Sequence, residues 1–333
     1  MSVLTFRGGT HPYDGKALSR DAAIEEIKPG EELVFPLSQH IGAPAVPIVE
    51  IGERVLAGQK IAAKSGFISA NIHSSVSGTV IKIEPRTIAT GGKVNSIIIR
   101  NDNLYEQAPP INDKNPDDMT DDEIRTVIEE AGIVGMGGAG FPTNVKLTPK
   151  NPEVIDTIIV NGAECEPYLT SDYRRMLEYT DELVKGLKIV LRLFPGARGV
   201  FGVEDNKPEA IKALKKATSG ENNIEVAVLK TKYPQGGERC MIKAVTGREI
   251  NSKMLPADAG CIVHNIDTIA SIYQAVYEGR PLTRRIVTVT GDAVNSTHNY
   301  YVYLGTNMRV LIDAAGGFKA EPAKVISGGP MMG

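Results

Sequence analysis

The spacing of apolar and polar residues changes along the chain, which predicts regions of different secondary structure. In residues 32–100, short β-prone runs are separated by Gly and Pro, as in a small all-β domain. Residues 101–120 are rich in Asn, Asp and Pro and contain few apolar side chains, so they predict a linker. The β-prone runs are residues 33–35, 45–49, 60–63, 79–83 and 96–99.

The next region alternates buried-type strands with amphipathic helices. This alternation predicts a parallel, doubly wound sheet, and the ligands of such sheets bind beyond the carboxyl ends of the strands. Residues 161–166 and 233–238 fall at such ends. The strands are predicted at 154–160, 199–203 and 224–229, and the helices at 183–191, 208–217 and 262–277.

The last region predicts a compact β-grasp-like module of two strands and one helix. The predicted fold class is therefore α/β, with an N-terminal all-β domain, a central doubly wound domain and this C-terminal module. The chain ends in a glycine-rich stretch, residues 326–333, which is typical of a cut made inside a longer protein. The predicted boundaries are 1–100, 101–120 for the linker, 121–283, and 284–333.

A glycine-rich segment, Gly135 to Gly140, carries the strongest chemical pattern in the chain. Bare backbone N–H groups of this kind form anion-binding nests, and Lys146 can add a positive charge to the same phosphate. The segment also matches G-x-G-x-x-G, but helical spacing precedes it, and Pro142 and Pro149 permit only a short helix after it. It is therefore not a Rossmann turn. The pattern predicts either a phosphate site or a tight connection without a ligand.

Charge and cysteine content exclude several function classes. The net charge of −3 is not the basic charge that is typical of proteins that bind nucleic acid. No apolar run reaches the roughly 18 residues that a transmembrane helix needs, and no signal peptide begins the chain, so we expect a soluble cytoplasmic protein. Cys165, Cys240 and Cys261 lie far apart, so we expect no metal site and no iron–sulfur motif within these residues.

Four motifs in one order carry a resemblance to a known family. Residues 135–146, 161–167, 233–247 and 264–271 together resemble the flavin-binding subunit of respiratory NADH dehydrogenase. Residues 51–80 resemble the biotinyl/lipoyl-type barrel-sandwich hybrid, although Phe67 occupies the position of the acylated lysine. With the sequence Phe-Arg-Gly-Gly at residues 6–9, the chain is similar to the RnfC family of the Rnf electron-transport complex.

This resemblance implies a fold and a set of ligand contacts. It implies a barrel-sandwich hybrid, a Rossmann-like domain that binds FMN and NADH, and an SLBB-like β-grasp module. Three departures from the respiratory protein make NADH binding less secure than FMN binding, because Met136 replaces an arginine, Pro149 an aromatic residue and Gly237 an acid. The implied cofactor contacts are Gly135, Gly137, Gly138, Gly140, Lys146, Asn161, Glu164, Glu166, Tyr233, Gly236, Glu238, Asn265 and Thr268.

The function implied by the resemblance is electron input into an ion-translocating NAD:ferredoxin oxidoreductase. The implied partners are NAD(H) and the other subunits of the Rnf membrane complex, with the chain peripheral on the cytoplasmic side of the membrane. The 4Fe-4S clusters of the family are expected only in a C-terminal region beyond residue 333. Two alternatives stay open, namely an interaction scaffold that has lost its flavin, and an NADH-oxidising subunit of a soluble hydrogenase or reductase.

Overall fold

Two small antiparallel sheets form the N-terminal hybrid domain in the computed structural model, which describes residues 3–88 and 91–333. One sheet has the strand order β2-β8-β7-β4, the other β3-β5-β6, and their apolar faces enclose Leu33, Phe35 and Ile97. Phe67 is exposed on the turn between β5 and β6. The strands of these two sheets are β2 (Glu32–Pro36), β3 (Val46–Pro47), β4 (Arg54–Val55), β5 (Lys60–Ala63), β6 (Ile72–His73), β7 (Gly78–Thr87) and β8 (Lys93–Asn101), and strand β1 (Ile24–Glu26) precedes them but belongs to neither sheet.

The central domain is a parallel four-stranded sheet with helices on both faces. Its strand order is β11-β10-β9-β12; α1, α3, α4, α5 and α7 pack through one apolar core, and α6 through another on the opposite face. The predicted doubly wound sheet is thus confirmed. The elements are α1 (Asp121–Glu130), α2 (Thr143–Lys146), β9 (Thr157–Gly162), α3 (Ser171–Glu178), α4 (Thr180–Arg192), β10 (Arg198–Glu204), α5 (Pro208–Ala217), β11 (Ile224–Leu229), α6 (Glu238–Thr246), β12 (Cys261–Asn265) and α7 (Ile266–Glu278).

The helix predicted over residues 262–277 is wrong at its start. Residues 261–265 form strand β12, which pairs with β9, and the helix begins only at Ile266. Asn265 ends the strand and caps the helix, because its side-chain oxygen accepts a hydrogen bond from the Asp267 N–H at 2.8 Å. The apolar residues before Asn265 therefore extend the sheet rather than the helix.

The C-terminal module has the predicted two strands and helix, β13 (Arg284–Val289), β14 (His298–Tyr303) and α8 (Met308–Ala314). A third strand comes from the other end of the chain, since β1 pairs with β14 in parallel. Apolar side chains of Ile27, Tyr300, Val302 and Leu311 form its core. The module is thus completed by residues that the sequence analysis did not assign to any strand.

Residues 4–19, which we call the N-terminal segment, lie across the carboxyl end of the central sheet. Leu4 forms a bridge with Leu229, and Thr10 forms one with Tyr233. Lys16 is buried farther along this segment. The start of the chain thereby contacts the edge at which ligands of doubly wound sheets bind. Among the described residues, no helix is long and apolar enough to span a membrane.

Candidate functional site

The glycine loop, residues 135–140, lies between α1 and α2 and is held at its ends. The Gly135 N–H donates to the Phe141 carbonyl at 2.8 Å, and the Met136 N–H donates to Thr268 Oγ1 at 3.0 Å. Within residues 3–88 and 91–333, the N–H groups of residues 137–140 donate to no protein acceptor. Four successive free donors are the arrangement that binds an anion.

The loop sits at the point where the strand order of the central sheet reverses. Asn161 at the end of β9 pairs in register with Asn265 at the end of β12, and these two strands flank the switch point. A Cβ added to Gly137 would lie 3.0 Å from the Asn265 Cβ, so the loop packs directly on this residue. Asn265 is held in turn by Asp172, whose carboxylate accepts from the Asn265 amide at 2.7 Å.

Lys146 and Glu238 meet although they lie far apart in the sequence. The Lys146 ammonium group donates to Glu238 Oε1 at 2.9 Å and to the Val263 carbonyl at 2.9 Å. The two side chains keep 29% and 40% of their surfaces exposed, so their ion pair contributes little to stability and can open for a ligand. The structure thus brings together two of the predicted cofactor contacts, a cation and a carboxylate.

Asn161 and Gly236 are joined by a hydrogen bond from the Asn161 amide to the Gly236 carbonyl at 2.7 Å. The Gly236 N–H donates to the Cys165 sulfur at 3.2 Å, which links this strand end to the loop after β9. Tyr233, three residues earlier, exchanges backbone hydrogen bonds with Thr10 of the N-terminal segment. These contacts fix the predicted segment 233–238 against the predicted segment 161–167.

Glu164 and Glu166 make contacts other than those implied by the resemblance. Glu164 has a left-handed backbone, with φ of 46°, and its carboxylate accepts from the Asp172 N–H at 2.7 Å. Glu166 accepts from the Met331 N–H at 2.7 Å, so its carboxylate contacts the C-terminal stretch. Neither carboxylate touches the glycine loop.

The buried Lys16 of the N-terminal segment stabilises the loop after β9. Its ammonium group donates to the carbonyls of Glu166 and Leu169, at 2.9 and 2.6 Å, and lies 3.9 Å from the Glu164 carboxylate. Burial lowers the pKa of Lys16 and raises the pKa of Glu164, because both charged groups lose hydration. Sequence analysis missed Lys16, since no local pattern connects it to residues 164–169.

Two further residues missed by the sequence analysis have buried polar atoms without a partner among the described residues. His264 Nε2 and both side-chain amide atoms of Gln235 make no hydrogen bond. Burial, and secondarily the charge of Lys146, lower the pKa of His264 to about 3, so its imidazole is neutral near pH 7. Unpaired buried polar atoms are costly, which makes them candidates for ligand contacts.

Asp172 is a third residue that the sequence analysis missed. Burial raises its pKa to about 8, and the nearby carboxylates of Glu164 and Asp267 raise it further than the hydrogen bond from Asn265 lowers it. The group therefore carries a proton in most molecules at pH 7. A neutral carboxyl at this place does not repel an anion at the adjacent glycine loop.

A cavity of about 420 Å³, which we call the loop cavity, opens between the glycine loop and the hybrid domain. This volume lies in the range of small-molecule sites. Of the predicted contacts, all of which are described residues, Gly135, Gly138 and Gly140 line it and the others do not. Backbone N–H groups without a protein acceptor and glycines without side chains at this cavity fit a phosphate-bearing flavin. Other lining residues are Gln39, His40, Ile41, Leu282, Arg285 and Leu304.

Models of three protein families match consecutive parts of the chain. The RnfC barrel sandwich hybrid domain matches residues 4–104, the Nuo51 FMN-binding domain matches residues 128–274, and the SLBB domain matches residues 286–333. The order of these matches is that of the three folding units described above, and the fold class predicted from the sequence is thereby confirmed.

Curated relatives align with nearly the whole chain. The corresponding subunit of the proton-translocating ferredoxin:NAD(+) oxidoreductase complex of Clostridium ljungdahlii is 46% identical over 330 residues, which cover 99% of this chain and 72% of that protein. Its counterpart in the Na(+)-translocating ferredoxin:NAD(+) oxidoreductase complex of Acetobacterium woodii is 44% identical over 330 residues, covering 99% of this chain and 74% of that protein.

Solved structures with the same fold include an NAD+-reducing [NiFe]-hydrogenase in the air-oxidized state. It superposes with a TM-score of 0.52 at 23% sequence identity, over 59% of this chain and 39% of that chain. At this level of identity the match supports the fold alone.

Proposed function

The chain belongs to the RnfC family of the Rnf complexes, the ion-translocating ferredoxin:NAD(+) oxidoreductases, and from this premise we propose that it exchanges hydride with NAD(H) through bound FMN. The observation that carries the proposal is the run of free N–H groups at residues 137–140, placed at the switch point of the central sheet. When bound, FMN accepts a hydride and releases electrons singly to one-electron carriers.

The residues of the chain are assigned binding and orienting tasks in this proposal. Lys146 supplies positive charge to the flavin, and Asn265 with Thr268 positions the glycine loop beside it. Glu238 accepts hydrogen bonds from the dinucleotide once its pairing with Lys146 opens. The hydrogen bond from Asn161 to Gly236 holds the end of β9 against residues 233–238 beside the nucleotide. Tyr233, Glu164 and Glu166 do not line the loop cavity, and we propose that they support the strand ends beside the dinucleotide.

The proposal extends to the partners and the location of the protein. The relatives are subunits of ion-translocating complexes, which supports association of this chain with the other subunits of such a complex. We place it at the cytoplasmic side of the membrane, with single electrons passed to iron–sulfur clusters held outside residues 1–333. We propose the division into domains at 1–100, 121–283 and 284–333, with a linker at 101–120, in which residues 4–27 of the first range pack on the other two domains.

Replacing Gly138 by alanine tests whether FMN lies against the glycine loop. A methyl group added at Gly138 would meet no protein atom within 4 Å, so the Gly138→Ala variant should fold normally. If FMN occupies this place, the methyl group collides with it, and we expect the Kd for FMN to rise about tenfold. Fluorescence titration of the apoprotein gives the Kd, and saturation at ~100 times Kd should stabilise the wild type by about 2.7 kcal/mol.

Gly220→Ala is the matched control, since a Cβ there also meets open space but lies far along the sequence from the loop. Its Kd for FMN should equal that of the wild type. Wild-type protein that shows no thermal stabilisation by FMN and no yellow complex after gel filtration would refute flavin binding. That result would favour the flavin-less scaffold.

A further inference from the structure

Arg285 is the one Arg or Lys side chain, among the described residues, that lines the loop cavity. It projects from β13 of the C-terminal module, and its guanidinium donates to the Met136 carbonyl at a long distance of 3.4 Å. It forms no ion pair with a carboxylate in residues 3–88 and 91–333. Arg285 is exposed, so its remaining donors are available to a ligand in the cavity.

The glycine loop presents further positive potential beside this guanidinium. The N–H groups of residues 137–140 have no protein acceptor in the described parts of the chain, and Gly138 lines the same cavity as Arg285. The carbonyl that Arg285 contacts belongs to Met136, the residue directly before these four donors. A guanidinium next to a run of free N–H groups is the combination that recognises a phosphate.

The amino end of α7 adds a third favourable contribution. Its helix dipole places partial positive charge at Asn265 to Thr268, and the Met136 N–H is bound to Thr268. Asp267, the acid in this first turn, is neutralised by the buried Arg175 at 2.8 Å. An anion at the loop therefore meets little opposing charge from this helix.

We propose that Arg285, contributed by the C-terminal module, binds the phosphate group of FMN at the glycine loop. This inference rests on the proposed function and adds a specificity-determining residue from a second domain. It makes the flavin site composite, because the C-terminal module supplies a cation to a loop of the central domain. The guanidinium then distinguishes FMN from riboflavin, which has the same ring system without the phosphate.

Comparison of FMN with riboflavin tests this inference directly. In flavin-free protein, the Kd of each flavin is measured by fluorescence titration for the wild type, Arg285→Met and Arg285→Lys. Arg285→Met should raise the Kd for FMN by about tenfold or more and leave the Kd for riboflavin unchanged. Arg285→Lys keeps the positive charge but loses the planar set of N–H donors of the guanidinium. Its preference for FMN over riboflavin should therefore lie between those of the wild type and Arg285→Met.

Arg309→Gln is the matched control, since it removes an exposed arginine of α8 outside the cavity. It should preserve the full preference for FMN. The inference is overturned if the wild type binds FMN and the Arg285→Met variant keeps the wild-type ratio of the Kd for riboflavin to the Kd for FMN. That result would leave the proposed function standing. An unchanged ratio with a raised KM for NADH would also overturn it, by placing Arg285 at the dinucleotide. A wild type that binds neither flavin would refute the proposed function itself.

Discussion

At the scale of single residues, Glu238 is tied to Lys146 before any ligand arrives. Glu238→Gln removes the negative charge but keeps an acceptor for the Lys146 ammonium group. We expect the KM for NADH to rise about tenfold, because a charge-assisted hydrogen bond to the dinucleotide weakens. The FMN content should be preserved. NADH-dependent ferricyanide reduction by the FMN-loaded protein measures the KM.

Glu249→Gln is a suitable control for this prediction. Glu249 pairs with Lys243 at 2.8 Å, so its substitution breaks a similar ion pair away from the cavity. Its KM for NADH should stay at the wild-type value. An unaltered KM in Glu238→Gln would remove Glu238 from the dinucleotide site.

Asp172 gives the protein a pH dependence of stability with a definite sign. Its pKa is about 8 in the folded protein and near 3.8 in the unfolded chain. Between these values the unfolded chain releases the proton while the folded protein keeps it. The free energy of unfolding therefore falls as the pH rises from about 4 to about 8, and this contribution is constant above that window.

Asp172→Asn removes this titration while keeping an acceptor for Asn265. Between pH 5 and pH 8 the Tm of the wild type should fall by at least about 2–4 °C relative to the variant. Calorimetry at several pH values measures the difference, with Asp122→Asn on the exposed start of α1 as the control. If the Tm of the wild type and that of Asp172→Asn change in parallel with pH, Asp172 does not have the raised pKa that we assign to it.

Residue types indicate the centre of the candidate site more readily than its surroundings. Gly135 to Gly140 and Lys146 are visible in the sequence because glycine runs and a nearby cation form a local pattern. Lys16, Asp172, His264 and Arg285 come from four separate elements, and only folding brings them to the site. No spacing rule connects such residues.

At the scale of secondary-structure elements, the contact between α4 and α7 depends on Gly186. A Cβ at this position would overlap the carbonyl oxygen of Ile269 on α7. Helix propensity alone favours alanine over glycine by about 1 kcal/mol, yet the overlap should make Gly186→Ala less stable by roughly 1–3 kcal/mol. Thermal or urea unfolding measures the change.

The same substitution should weaken FMN binding, because α7 carries Asn265 and Thr268 at its amino end. Gly220→Ala again serves as the reference, since its added methyl group meets no atom within 4 Å. If the Gly186→Ala variant is as stable as the wild type, α4 and α7 can move apart without loss of stability, and the prediction is wrong.

The starts of α1 and α5 are visible in the sequence, whereas β12 has no visible boundary and was missed, and α3 and α6 were not predicted. Thr120 and Glu123 form a capping box at α1, and Pro208 begins α5, so both starts can be read locally. Between β12 and α7, Asn265 is the last residue of the strand and the cap of the helix. The periodicity changes there without an intervening Gly or Pro, which hides the boundary.

At the scale of the whole molecule, the pairings that join the two ends of the chain could not be predicted. β1 pairs with β14, and the N-terminal segment bridges Leu229 and Tyr233. Local spacing predicts that a residue lies in a strand but not which distant strand it joins. The three-unit architecture was predictable because each unit has its own hydrophobic periodicity, whereas these connections depend on tertiary packing.

The union of the two chain ends has a consequence for synthesis on the ribosome. Ser19 accepts a hydrogen bond from Asn299, 280 positions later in the chain. At ~5–20 residues per second, the first residues wait roughly 15 to 55 s for these partners. During this interval the N-terminal segment can already bridge Leu229 and Tyr233, but β1 has no partner until β14 is synthesised. The central domain, whose last helix ends at Glu278, can therefore fold with the N-terminal segment in place. Pairing of β1 with β14 then becomes the last step, which completes the C-terminal module.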